Sequence, residues 1–162
     1  KSFLNELKAK KVEISIITNS VCSSDNVFAQ GGYQSTKGNI LGIVDSLYEF
    51  KGPATTHAKV ATIDSNISLV GTYNFDPRSA NLNREIGIVV TEDLVNDGQA
   101  RSPLNKQLSD AMANFQSEST EIKAGGTVNQ GNLSRTQPCK TTLVDIITKI
   151  WPSLPEIFKI QI

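Results

Sequence analysis

The pattern His57-x-Lys59-x4-Asp64, followed after six residues by Gly71-Thr72-x-Asn74, constrains this chain more than any other feature. It contains the only histidine among 162 residues. His57, Lys59, Ala61 and Ile63 alternate with Ala58, Val60 and Thr62, the period of two that marks a strand. Asp64-Ser65-Asn66 is turn chemistry, because Asp and Asn side chains bond their own backbone and Asn tolerates left-handed angles. Ile67 to Gly71 returns as a second strand, so a hairpin is expected. Residues two apart on a strand face the same way, which puts His57 and Lys59 on one side. Gly71 permits close backbone approach, and Thr72 and Asn74 follow it at the strand end. Imidazole, ammonium, hydroxyl and carboxamide then converge. For a phosphate, Lys supplies charge, Thr and Asn supply neutral donors, and His supplies a nucleophile or a proton. The alternative is a hairpin with a lone, satisfied histidine. Six fixed residue types at these spacings are improbable by chance in so short a chain.

Composition narrows the classes. Sixteen basic and sixteen acidic side chains give zero formal charge, whereas a nucleic-acid binder carries a basic surplus. Cys22 and Cys139 are far apart and make neither a metal knuckle nor a disulfide framework. With one histidine, no zinc site is expected. No apolar run reaches membrane-spanning length and no signal peptide is visible. The length suits one domain with a real core. Lys1 lies inside a helical pattern, so the chain reads as part of a longer one.

Lys1 to Lys11 reads as a helix, and Val12, Ile14 and Ile16 as a strand. Thr18-Asn19-Ser20 then sits at the strand's C-terminal end, where ligands bind in open α/β sheets; a helix-capping loop is the equal alternative. Gln30-Gly31-Gly32-Tyr33 reads as a break, followed by a helix from Gln34 to Leu47 and a short strand from Leu47 to Phe50. Asp76 and Pro77 are an N-cap and a first helical residue. Asp76 and Arg78 fix this loop rather than perform chemistry, and Asp64 belongs to the hairpin turn. Glu85 opens a strand through Val90. Helices are expected over Arg101–Ser117 and Thr142–Trp151, with a loop or hairpin over Ala124–Thr136 between them. The apolar tail through Ile162 either packs on the body or touches a membrane surface. Alternating helix and strand argue α/β layering with a mixed sheet.

The His57–Asn74 block resembles the HKD motif of the phospholipase D superfamily. Ile16-Ile17-Thr18-Asn19-Ser20, Ser24-Asp25-Asn26, Gly32-Tyr33, Leu47-Tyr48-Glu49, Phe75-Asp76-Pro77-Arg78-Ser79 and Leu82-Asn83-Arg84-Glu85 extend the likeness to the C-terminal half of bacterial cardiolipin synthases. It runs from about Lys1 to Phe115. Thr72 departs from it, since the family usually has Ser there; the hydroxyl is kept. The resemblance implies a mixed β-sheet flanked by helices in αβα layers, one of two related halves. Residues 1–120 would form the HKD domain and 121–162 a C-terminal extension. It implies catalytic roles for His57, Lys59, Asn74 and Glu85, with Glu85 bonding the unreactive ring nitrogen of the histidine. The other reading of Glu85 is a strand-edge surface carboxylate. Thr72, Asn19 and Ser20 would bind phosphate, while Asp64, Gly71, Asp76 and Arg78 shape the backbone. No cofactor or metal is implied.

The family reaction passes through a phosphohistidine and needs two imidazoles. No internal repeat is present, so the second set must come from an N-terminal half or a second chain. The expected activity is phosphatidyl transfer that makes cardiolipin; the alternatives are a phosphodiesterase of the same fold, lipase or nuclease, and a non-catalytic module. Intact His57, Lys59, Asn74 and Glu85 argue against the last, and neutral charge against nucleic acid. The expected partners are a phospholipid substrate, a second HKD half and a membrane surface, with the protein peripheral at the cytoplasmic face of the inner membrane.

Overall fold

The computed structural model describes residues 2–52, 54–91, 103–123, 126–130 and 141–153. The chain runs α1 (Ser2–Ala9), β1 (Ser15–Asn19), α2 (Val27–Leu41), β2 (Ser46–Phe50), β3 (Val60–Ile63), β4 (Ile67–Gly71) and α3 (Pro77–Asn81). It continues with β5 (Gly87–Thr91), α4 (Pro103–Ser117), β6 (Ser119–Lys123), β7 (Gly126–Gln130), α5 (Thr141–Ile150) and a 3-10 turn at Trp151–Ser153. The class is α/β, as expected, in two compact units. One takes the chain through Thr56 and again from Phe115; the other takes His57–Asn114.

The first unit holds a mixed sheet in the order β1-β2-β6-β7. β1 and β2 are parallel, with Ile16 opposite Leu47, and α2 is the crossover that a parallel pair requires. β6 pairs antiparallel with β2 and with β7. Periodicity marks no strand over Ser119–Lys123, and pairing with β2 makes one. β6 and β7 form a hairpin, and the loop or hairpin expected over Ala124–Thr136 overlaps only its second strand. Residue 120, the expected boundary of a C-terminal extension, falls inside β6.

The break expected at Gln30–Tyr33 is absent: α2 runs through it and ends at Leu41. Glycine weakens a helix locally, but here it admits a neighbour. A β-carbon on Gly31 would lie 2.2 Å from Ile147 Cγ2 of α5. Leu47 is fully buried, and Val44, Phe50, Val144, Ile147 and Trp151 complete the buried apolar set. Phe50 also meets Phe115 edge-on, with centroids 5.0 Å apart. The buried Glu49 carboxylate accepts from Tyr33 Oη at 2.9 Å and Lys37 Nζ at 2.6 Å. Burial first, and Glu49 second, push the Tyr33 phenol well above its ordinary range. Cys22 is disulfide-bonded, which corrects the expectation of unbridged cysteines; separation along a chain does not fix separation in space. Expectations for Arg101, residues 131–136, Cys139 and the tail beyond Ser153 lie outside the described residues.

The second unit is the antiparallel sheet β3-β4-β5 with the greater part of α4. The β3–β4 hairpin pairs Ile63 with Ile67, and Asp64 in its turn takes a left-handed φ of 52°. From α4, Asn105 Nδ2 donates to the Ile67 carbonyl at 3.0 Å and Met112 Sδ lies 3.9 Å from Thr62 Oγ1. The strand is shorter than its alternation suggests. β3 begins at Val60, so His57 and Lys59 sit in extended chain leading into it. Gly71 N–H to the Lys59 carbonyl, at 3.0 Å, carries the pairing back to Lys59.

Candidate active site

Gly71 sets the geometry at the end of the hairpin. A β-carbon there would approach the Ile86 carbonyl oxygen to 2.7 Å and Gly87 Cα to 3.1 Å, so β4 and β5 can close only on glycine. Gly71 lies opposite Gly87. Immediately beyond, the Thr72 N–H donates to the Ile86 carbonyl at 2.9 Å, and the Ile86 N–H donates back to Thr72 Oγ1 at 3.0 Å. The Thr72 hydroxyl donates to Glu85 Oε2 at 2.5 Å. Threonine therefore bridges the two strands and carries the carboxylate. The other oxygen, Glu85 Oε1, accepts from Asn83 Nδ2 at 3.0 Å.

The segment after Asn74 folds as the cap pattern requires. Asp76 is the N-cap of α3 and its Oδ1 accepts from the Ser79 N–H at 2.7 Å, with Pro77 at the first helical position. The buried Ser79 Oγ accepts from the Asn74 N–H at 3.1 Å, so the cap also fixes the backbone of Asn74. Arg78 Nε donates to Asn83 Oδ1 at 3.1 Å.

Two charged groups are perturbed. The Glu85 carboxyl is held below its ordinary value by the hydrogen bond from Thr72 first, then those from Ser79 and Asn83; burial opposes this, and Lys59 adds a smaller attraction. The Lys59 ammonium is pushed below its ordinary value, because lost hydration outweighs the attraction of Asp76 and Glu85. Lys59 Nζ donates to the His57 carbonyl at 2.8 Å. The His57 side chain is exposed, and its ring has no hydrogen-bond partner among the described residues. Both ring nitrogens are thus open to a ligand.

The second unit contains His57, Lys59, Thr72, Asn74, Asp76, Arg78 and Glu85. Glu85 is engaged by Thr72 and Asn83, and no bond to His57 is formed. Asn19 and Ser20 belong to the first unit. There the Asn19 carboxamide clasps the backbone of Thr56, donating to its carbonyl at 2.7 Å and accepting from its N–H at 3.0 Å. Ser20 is buried, with its hydroxyl oxygen accepting from the Cys22 and Ser23 N–H groups. The α2 cap is instead Asn26. Sequence reasoning missed Ser79 and Asn83. The three-residue spacing from Asp76 points to the first, and the two-residue spacing from Glu85 to the second. Among the described residues, no group of His, Cys, Asp and Glu side chains could hold a metal ion.

Residues 2–115 match the family model described as cardiolipin synthase, PLD-like domain. The chain belongs to this family. The match covers every site residue and stops before β6, β7 and α5. Cardiolipin synthase C of Escherichia coli (strain K12) is 33% identical over 101 residues, covering 52% of this chain and 21% of that protein. Cardiolipin synthase A of Erwinia tasmaniensis is 35% identical over 82 residues, 51% of this chain and 16% of that one. An uncharacterized Helicobacter pylori protein is 30% identical over 102 residues, 55% of this chain and 20% of its own. The chain thus spans about a fifth of the curated relatives it matches. No solved structure matches.

Proposed function

We propose that this chain supplies one of two His–Lys–Asn sets of a phosphatidyltransferase of the cardiolipin synthase type. The observation that carries the reading is an exposed, unpartnered His57 ring in a family-matched segment with Lys59, Thr72, Asn74 and an anionic Glu85. In the first step one imidazole attacks phosphorus of phosphatidylglycerol. A P–N bond forms, the P–O bond to glycerol breaks, and a second imidazole delivers a proton to the departing oxygen. In the second step that imidazole takes a proton from the hydroxyl of an acceptor lipid or polyol, whose oxygen displaces the phosphohistidine. Covalent catalysis replaces one difficult displacement by two easier ones. Proton delivery contributes a further factor of roughly 10² to 10⁴.

One imidazole cannot attack and deliver a proton at once, so the second set comes from an N-terminal half or from a second copy. Beside an N-terminal half His57 acts as general acid and base; in a symmetric pair each copy supplies one role. Lys59 and Asn74 hold the phosphate and its developing charge. Glu85 offers a remaining acceptor site to the non-reacting ring nitrogen and stabilises imidazolium, for which its lowered pKa keeps it charged. Among the described residues no helix is long and apolar enough to cross a membrane; a phospholipid substrate brings the site to a membrane surface.

The test is phosphatidylglycerol turnover by the assembled protein, with and without added glycerol or phosphatidylethanolamine. Cardiolipin formed from phosphatidylglycerol itself, or a new phosphodiester that requires added phosphatidylethanolamine, supports transfer, and phosphatidic acid alone means hydrolysis. Loss of DNA without lipid turnover sinks the lipid reading. His57→Ala is expected to abolish turnover, and retained turnover removes the histidine from the chemistry.

A further inference from the structure

We propose that Asn83 is a positioning residue, a neutral clamp that ties the Glu85 carboxylate to the end of α3 and fixes the direction in which it faces. Its carboxamide is used at both ends. Oδ1 accepts from Arg78 Nε at 3.1 Å, and Nδ2 donates to Glu85 Oε1 at 3.0 Å. Its backbone N–H donates to the Arg78 carbonyl at 3.0 Å, so main chain and side chain both anchor on one residue of α3. That helix is in turn fixed by the Asp76 cap. Glu85 is therefore held from β4 through Thr72 and from α3 through Asn83, one oxygen each.

The intervening amide has a chemical purpose. A guanidinium beside a carboxylate forms a bidentate pair that occupies both oxygens and neutralises the charge. Asn83 engages Arg78 Nε and passes on its position without its charge; the charge acting on Glu85 is that of Lys59. A carboxylate offers about four acceptor sites. With Thr72, Ser79 and Asn83 as donors, Glu85 keeps one acceptor site for an imidazole N–H. The proton-transfer role of Glu85 rests on the function proposed above, but the clamp does not.

The test reads the Glu85 carboxyl directly, by carbon-13 NMR titration of the full 162-residue chain. Four proteins are compared: wild type, Arg78→Ala, Asn83→Leu and the double variant. Asn83 is exposed, so these variants should fold. In the Arg78→Ala background, where no guanidinium can collapse onto Glu85, Asn83→Leu is expected to raise the midpoint by roughly half to one pH unit. That follows because a hydrogen bond to the charged form lowers a carboxylate's pKa, and its loss raises it. The effect of Arg78→Ala must also differ with and without Asn83→Leu, since its action runs through the amide. A midpoint unmoved by Asn83→Leu in either background, or equal Arg78→Ala effects in both, overturns the clamp. In the active assembly, Asn83→Leu should lower kcat more than it raises KM and shift the acid limb of the pH–rate profile. If the midpoint moves while that profile stays, the clamp stands and the proton-transfer role of Glu85 fails.

Discussion

A single methyl group at Gly71 tests whether the site is set by backbone approach. In Gly71→Ala the new β-carbon would lie 2.7 Å from the Ile86 oxygen and 3.1 Å from Gly87 Cα. Both are main-chain atoms, so no rotamer change relieves the contact and β5 itself must move. Overpacking of this kind costs about 1–3 kcal/mol. The alanine also restricts the unfolded chain, which returns about 0.4–1 kcal/mol. The net expectation is a loss of roughly 1–2 kcal/mol, or a fall of about 0.5–1 M in the urea midpoint for a slope near 2 kcal/mol per M. Gly38→Ala is the control. It lies inside α2, and a β-carbon there meets nothing within 4 Å. The same substitution should gain about 0.5–1 kcal/mol there. Urea unfolding followed by circular dichroism measures both. The displaced strand also separates Thr72 from Glu85, so the Glu85 midpoint should rise in Gly71→Ala and stay fixed in Gly38→Ala. A Gly71→Ala protein as stable as wild type, with an unchanged Glu85, refutes the argument.

Three further outcomes are expected. Gly31→Ala should lose about 1–3 kcal/mol through its clash with Ile147, and that cost should shrink in an Ile147→Ala background; strictly additive effects, read from Trp151 fluorescence, would count against the contact. Thr72→Val keeps the shape but removes the first cause of the lowered Glu85 pKa. A depressed carboxylate stabilises the fold above its unfolded value near 4 and loses that effect as pH falls through the folded value, so the stability gap between wild type and Thr72→Val should shrink below about pH 4; a gap independent of pH would refute it. For Tyr33 the sign is opposite. Its raised value stabilises the fold below the unfolded value of about 10 and is lost as pH climbs beyond it. One phenol should therefore resist ionisation until the fold opens, and Glu49→Gln should bring it down. Complete tyrosinate absorbance before unfolding would sink this.

How much of this was legible in the sequence depends on the range of the interaction. The hairpin, the Asp64 turn and the Asp76–Pro77 cap are local, and the structure forms each where residue chemistry places it. Gly31 was misread because local propensity weighs a glycine against its own helix, whereas its neighbour Ile147 is more than a hundred residues away. Ser119–Lys123 lacks a strand pattern for a related reason: the partner strand, not the alternation, makes it one. At the site, residue type and spacing select His57, Lys59, Thr72, Asn74 and Glu85, but not their partners. Asn19 has the right chemistry for a phosphate, yet its carboxamide binds the Thr56 backbone. Glu85 is instructive in the same way. Resemblance directs it to an imidazole, while Thr72 and Asn83 hold both of its oxygens in the folded chain. A motif fixes which groups are present, while the bonds that hold them also involve neighbours outside it, such as Asn83. Mutating those neighbours, rather than the motif, is therefore the sharper probe of how the site is aimed.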